Sequence, residues 1–242
     1  MIIKKFLQLL LLLLIIITNS CNQSNEKMES LAREKMNAGK FAEAISVLSE
    51  IMEKESNNAT YYNMRGVAYY NLKENSKALT DFDKAIEIQS DDYRFYYNRG
   101  NLKRTLNRPE SAVEDYNIAL ELEKSEYEIF LNRALSLMAA HNLPAAIEDF
   151  NTADQLSKGK DSNVFFYRGK AYMITEEFNK ALEDFTKCIN INSENGEAYY
   201  GRALAKINIA NGNANEDTCK DIEKSKELGY QLADQLKETY CK

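Results

Sequence analysis

The chain has 242 residues, 44% hydrophobic and 28% charged, with only nine Gly and two Pro. That is length for one or two domains and a buried core, and it excludes disorder, a collagen-like repeat and a mosaic of turn-rich strands. Four Cys and one His are too few and too scattered for a zinc ribbon or a disulfide-dense miniature scaffold, and the formal charge of -6, from 31 basic and 37 acidic residues without a basic block, argues against a nucleic-acid partner.

The first twenty residues are read apart from the fold. Lys4 and Lys5 form a cationic start, and Phe6 to Ile17 is apolar except for Gln8. As a helix this stretch would be roughly 18 Å long, short of the ~30 Å hydrocarbon core. It therefore reads as a signal peptide rather than a span. The ending Ile17-Thr18-Asn19-Ser20-Cys21 resembles a bacterial lipoprotein signal, in which the Cys is acylated and becomes the new N-terminus. It departs from that pattern at Thr18, where Leu is usual, and the alternative is an ordinary secretory signal with a chance Cys. On this reading residues 1–20 are the signal and 21–27 are the lipidated Cys21 and a polar tether. The mature chain is exported, and Asn22 after the Cys inclines the reading towards the outer membrane.

From there the sequence repeats itself. Tyr62-Asn63-Met64-Arg65-Gly66 returns as Tyr96-Tyr97-Asn98-Arg99-Gly100, Phe130-Leu131-Asn132-Arg133-Ala134, Phe165-Phe166-Tyr167-Arg168-Gly169 and Tyr199-Tyr200-Gly201-Arg202-Ala203. The small residues recur every 34 or 35 positions, with Ala32 one step earlier. Twelve residues beyond each come Ala44, Ala78, Ala112, Ala146 and Ala181. Four further on stand Leu48, Phe82, Tyr116, Phe150 and Phe185, and three beyond those Ile51, Ala85, Ala119, Ala153 and Cys188. Small residues at fixed spacing let two helices approach while aromatics fill the gaps between them.

This register resembles the tetratricopeptide repeat family, with an aromatic at position 4, a small residue at 8, Ala at 20, an aromatic at 24 and Ala at 27 of each copy. The resemblance implies an all-α, right-handed solenoid of antiparallel helix pairs over residues 28–242, with a concave inner face. The repeats fall at about 25–58, 59–92, 93–126, 127–161, 162–195 and 196–229. Gly39, the Arg108-Pro109 step, Asn142-Leu143-Pro144 and Asn211-Gly212-Asn213 separate the helices. A capping helix is expected over 230–242, from Tyr230, with Leu232 and Leu236 on one face.

Each repeat sets an Arg at position 7 and an Asp at position 23, eight residues either side of the hairpin turn. The two sets are Arg65, Arg99, Arg133, Arg168 and Arg202, and Asp81, Asp115, Asp149, Asp184 and Asp221. Placed at one height, they predict a structural ladder of forked ion pairs rather than a row of arginines gripping an anion. In the family, positions 2, 5, 9 and 12 of the first helix line the groove. The resemblance thus implies a partner-binding surface of Asn63, Tyr70, Tyr97, Asn101, Arg104, Leu131, Met138, Phe166, Lys170, Met173 and Tyr200, types enriched at protein interfaces. The alternative for any of them is plain packing against the next helix. The Lys and Asn pattern by which some relatives clamp a carboxylate tail is not reproduced.

Enzyme signatures are absent. His141, the only histidine, falls at a predicted turn, and the glycines are dispersed singly, which removes histidine triads, histidine metal sites and phosphate loops. No cofactor and no metal site is expected. Cys188 replaces a small core residue and reads as a buried thiol. Cys219 and Cys241 flank the turn at Gly229 and come side by side in an antiparallel pair, predicting a disulfide in an oxidising compartment, with two free thiols as the alternative. The sequence thus describes a non-catalytic, membrane-anchored scaffold that binds one or more envelope proteins or peptides. The alternative function is a ligand- or glycan-binding accessory subunit of an uptake system.

Overall fold

The computed structural model describes residues 25–241, so the signal segment, Cys21 and Lys242 lie outside the described residues. Those residues are helical throughout. Helix α1 covers residues 25–37. It is followed by α2 (Phe41–Lys54), α3 (Ala59–Asn71), α4 (Asn75–Ile88), α5 (Tyr93–Thr105), α6 (Pro109–Leu122), α7 (Tyr127–Ala139), α8 (Leu143–Ser157), α9 (Ser162–Ile174), α10 (Phe178–Ile191), α11 (Gly196–Ile209), α12 (Glu216–Glu227) and α13 (Ala233–Tyr240). The described residues fall into two compact units that divide after Leu102, and within each unit neighbouring helices pack as the hairpins of an α-solenoid.

The sequence punctuates these helices with recurring devices. Asn58, Asp161, Asn195 and Asn215 cap α3, α9, α11 and α12 by accepting backbone N–H bonds from Thr60, Asn163, Ala198 and Thr218 at 2.8–3.1 Å. Pro109 opens α6 and Pro144 lies in the first turn of α8, where their missing N–H groups are not needed. Each first helix of a pair ends on a left-handed residue. Gly39 has φ +70°, and the same register holds Lys73, Asn107, His141 and Glu176 at φ +56° to +63°. The six-residue closure that follows, as in Glu74 N–H to Tyr69 C=O at 2.9 Å, satisfies a terminal carbonyl. His141 is therefore a turn residue, and it is exposed.

The repeat register is the core. In the first unit Ala32, Leu48, Ile51, Met52, Tyr61 and Met64 form one buried cluster, and Ala59, Ala85 and Phe95 another. In the second unit Ala134, Ala146, Phe150, Ala153 and Ala171 pack together, followed by Phe165, Phe166, Ala181, Phe185, Cys188 and Ala198, and then by Ala203, Ile207, Ile222 and Leu236. The position-8 residue must be small because the position-24 ring sits against it. A Cβ on Gly66 would lie 2.7 Å from Phe82 Cε1, and one on Gly169 3.1 Å from Phe185 Cε1. Burying each such ring contributes roughly 1.5–3 kcal/mol.

The C-terminal cap differs from expectation. It begins at Ala233, not at Tyr230. Gly229, at φ +81°, reverses the chain, and the Tyr230 N–H closes back on the Ser225 carbonyl at 3.1 Å, so residues 230–232 form a turn. Leu232 is consequently 51% exposed, and Leu236 alone of the pair is buried, at 9%. Cys219 and Cys241 are joined by a disulfide that ties the end of α13 to α12.

Candidate functional site: the groove face and its cavity

The arginines of the register are held by carboxylates, and Arg65, Arg133 and Arg168 each hold a second acceptor beside the predicted one. Arg65 grips Asp81 through Nε and Nη2 at 2.8 and 2.9 Å, Arg133 grips Asp149 at 2.7 and 2.7 Å, and Arg168 grips Asp184 at 2.7 and 2.8 Å. Arg202 forks onto Asp221 at 2.9 and 2.5 Å, which also accepts from Lys206 at 2.7 Å. Within the first unit Arg99 pairs with Asp83 at 2.7 Å, and within the second Asp115 pairs with Lys103 at 2.8 Å. In three of the forks the free arm reaches back one helix pair: Arg65 to Ser49 at 3.2 Å, Arg133 to Asn117 at 2.7 Å and Arg168 to Asn151 at 2.8 Å. These acceptors, with Asp83, stand 34 residues apart at position 25, a polar register that sequence reasoning missed although its spacing was visible.

The aromatic at position 4 lies beneath each guanidinium, with Phe165 at 5.5 Å from Arg168 and Tyr199 at 5.4 Å from Arg202. Burial pulls the Arg168 guanidinium down, but the hydrogen bonds it donates to Asp184, with that carboxylate's charge, outweigh burial and the pKa ends raised. All three nitrogens of Arg168 are engaged by acceptors of the chain itself, which fits a structural role better than capture of an anion.

The groove residues divide by unit. In the first, Asn63 accepts from Asn98 Nδ2 at 2.9 Å, the Tyr70 ring carries Lys73 Nζ at 5.8 Å, and Tyr97 and Asn101 are half-buried. In the second, Leu131 is buried in the core beside Ala134 and Phe150, so it packs rather than lines a surface. Met138 is half-buried at the edge of that cluster, and Arg104 is half-buried with its Nε unpartnered.

Phe166, Lys170, Met173 and Tyr200 do come together. With Ile174, Phe185, Glu197, Gly201, Leu204 and Tyr230 they enclose a cavity of ≈ 220 Å³ between α9, α10, α11 and the turn before α13. Its floor is the Phe185 ring, set edge-on to Phe166 at 6.2 Å between centroids, and its outer wall is the pair Tyr200 and Tyr230, tilted against each other with centroids 4.9 Å apart. Lys170 Nζ and Glu197 Oε1 form an ion pair at the rim, 2.8 Å apart, with side chains 43% and 39% exposed. Lys170 also lies 5.2 Å from the Phe166 ring. Burial, and then the Glu197 charge, push the Tyr230 hydroxyl above its ordinary value, so it stays neutral at physiological pH. Such a site offers apolar contact, aromatic edges and one balanced donor and acceptor.

Sequence reasoning found four of these lining residues through the groove register. It missed Tyr230, which lies outside any repeat, and Gly196 and Gly201, whose signal was glycine at positions where no other copy carries one. Among the described residues no cluster of His, Cys, Asp and Glu could hold a metal ion, and no helix is long and apolar enough to cross a membrane.

Comparison with known proteins places this register in a wider set. None of the curated proteins matches the sequence. Similar solved folds include a Pseudomonas aeruginosa pilF structure (TM-score 0.73, 16% identity, 89% of this chain and 93% of that one). Others are the C-terminal part of a TPR repeat-containing protein from Cytophaga hutchinsonii (TM-score 0.71, 22% identity, 87% and 84%) and YrrB, described as a TPR protein with an unusual peptide-binding site (TM-score 0.67, 19% identity, 79% and 97%). Three tetratricopeptide repeat models match residues 59–92, 97–161 and 164–195, together more than half of the sequence. With the repeat register, the helix hairpins and these matches in agreement, the chain belongs to the tetratricopeptide repeat family.

Proposed function

We propose that the chain is a non-catalytic protein-interaction scaffold of the cell envelope, anchored to a membrane through acylated Cys21, whose groove face takes a segment of a partner protein. The observation that carries the reading is the apolar cavity among Phe166, Met173, Phe185, Leu204, Tyr200 and Tyr230, which opens on the groove side and holds no reacting group. The peptide-binding site named for YrrB supports it by likeness of fold. The disulfide between Cys219 and Cys241 supports an oxidising compartment, and the signal segment supports export. A glycan-binding role has less support, because a sugar needs convergent hydrogen-bonding groups and the cavity supplies only the Lys170–Glu197 pair.

The test is recovery of partners from detergent-solubilised envelope by wild type and by a Met173→Ala, Tyr200→Ala double variant, with folding checked by circular dichroism. Specific partners held by wild type and lost by the folded variant are the expected result. Equal recovery by both would remove the groove as the binding surface.

A further inference from the structure

We propose that the cavity between α9, α10 and α11 is an anchor pocket for one large apolar side chain, of Leu, Met or Phe size, carried by an uncharged segment of a partner protein, with Tyr230 as its closing wall. The proposal rests on the protein-binding reading above and narrows it to one site and one kind of occupant.

Size sets the first limit. At ≈ 220 Å³ the cavity exceeds the roughly 150 Å³ that admits a benzene ring. It falls below the roughly 300 Å³ at which pockets for whole small-molecule ligands begin. One side chain fills it. Charge sets the second limit. Lys170 and Glu197 neutralise each other at the rim, so the mouth has no net charge to attract a phosphate, a carboxylate tail or a cation. A paired donor and acceptor is what a peptide main chain, with its own N–H and C=O groups, can exchange with.

The pocket is also built by departures from the repeat. At position 6 the earlier copies carry Met64, Asn98, Asn132 and Tyr167, and here stands Gly201. A Cβ at Gly201 would lie 2.6 Å from Phe185 Cζ, so its absence lets that ring reach the groove side and serve as the floor. At position 1 the copies carry Ala59, Tyr93, Tyr127 and Ser162, and here stands Gly196. Its Cβ would meet Leu228 Cβ at 3.0 Å and Tyr230 Cβ at 3.5 Å, so only glycine lets the turn after α12 settle on α11. Ser225 Oγ–H secures that approach by donating to the Gly196 carbonyl at 2.7 Å. The disulfide then encloses Tyr230 in a covalent ring between Cys219 and Cys241. One glycine shapes the floor, while the other, a reversed turn and a crosslink converge on the Tyr230 wall, and central pockets that seat a single anchor carry most of the energy of a protein interface.

The experiment selects displayed random peptides on the full mature chain and measures the affinity of those enriched. Expected are peptides sharing one position restricted to Leu, Met or Phe, whose replacement by Ala weakens binding at least about tenfold, the scale of an anchor truncation. Met173→Trp, which fills the cavity, should weaken binding as much while the melting temperature is held. Leu204→Trp fills it from the opposite side and serves if the first variant is destabilised. Tyr230→Ala should weaken binding several-fold. Enriched peptides that bind both filled variants as tightly as wild type, or that share only charged positions, would overturn the anchor pocket and leave a protein-binding groove elsewhere. Failure to enrich any peptide would overturn both readings.

Discussion

At the scale of single residues the forked arginines carry the chain's most stringent demand. Asp149 is 5% exposed, and its charge is tolerable only because Arg133 supplies two hydrogen bonds to it. Arg133→Ala strands that carboxylate and also releases Asn117, so a loss of about 3 kcal/mol is expected from the denaturant midpoint, with peptide affinity little changed. The left-handed turn residues make the opposite prediction. Glu176 holds φ +60° where Gly39 shows that glycine suffices, and Glu176→Gly should raise stability by up to about 1 kcal/mol in thermal unfolding. Buried acids set the alkaline limit. Burial pushes the Cys188 thiol from 9.0 to about 11 and, with Glu55 and Glu29 adding to it, the Tyr61 hydroxyl from 10.0 to about 12. Both pKa values are raised, so the stability they contribute is complete below pH 9 and is lost as pH climbs towards 11 and 12. Melting temperature should fall over that window, and native Cys188 should resist iodoacetamide at pH 8 until the chain is unfolded.

Among the elements, the last two helices behave differently from the rest. Helices α2 to α11 follow the periodic sequence so closely that their order and turns are legible from spacing alone, because the same contact recurs in every copy. The cap is not periodic, and its start was misread for that reason. A Leu232–Leu236 spacing suits a helix, yet the left-handed Gly229 and the closure onto Ser225 override it. The ladder was legible in the Asp partners of Arg65, Arg133, Arg168 and Arg202 and not in its position-25 acceptors, since Ser49, Asp83, Asn117 and Asn151 share polarity but not residue type. The disulfide holds what the periodic contacts do not. Only Ala233 and Leu236 of α13 are buried, so the helix has little apolar surface to hold it against α12. Replacing Cys219 and Cys241 by Ser should cost about 3 kcal/mol for a ring spanning a separation of 22 residues. Hydrogen exchange should then show α13 opening independently while α9 and α10 keep their protection.

For the molecule as a whole, the family register explains the scaffold, and the departures from it explain the candidate site. The repeat models end at residue 195, and the cavity walls lie on both sides of that limit, in a fifth copy that obeys the pattern and a sixth that does not. A consensus describes what every copy shares, so a pocket made from Gly196, Gly201 and Tyr230 is invisible to it. The same division applies to where the protein resides. Nothing in the helical repeats requires a membrane, and the anchoring proposal stands on the short N-terminal segment. Removing residues 1–20 takes two Lys and no acid, which moves the formal charge from -6 to -8. So acidic a body has no net electrostatic attraction to an anionic lipid surface, and the proposed anchoring therefore rests on the acyl chains alone. Expressed in a bacterial host, the wild-type chain should fractionate with membranes at every salt concentration, with a mature N-terminal peptide whose mass places acyl groups on Cys21. Cys21→Ser should release it, still folded and with Cys219 bonded to Cys241, into the soluble exported fraction. Wild type recovered there with an unmodified Cys21 would leave export standing and remove the lipid anchor.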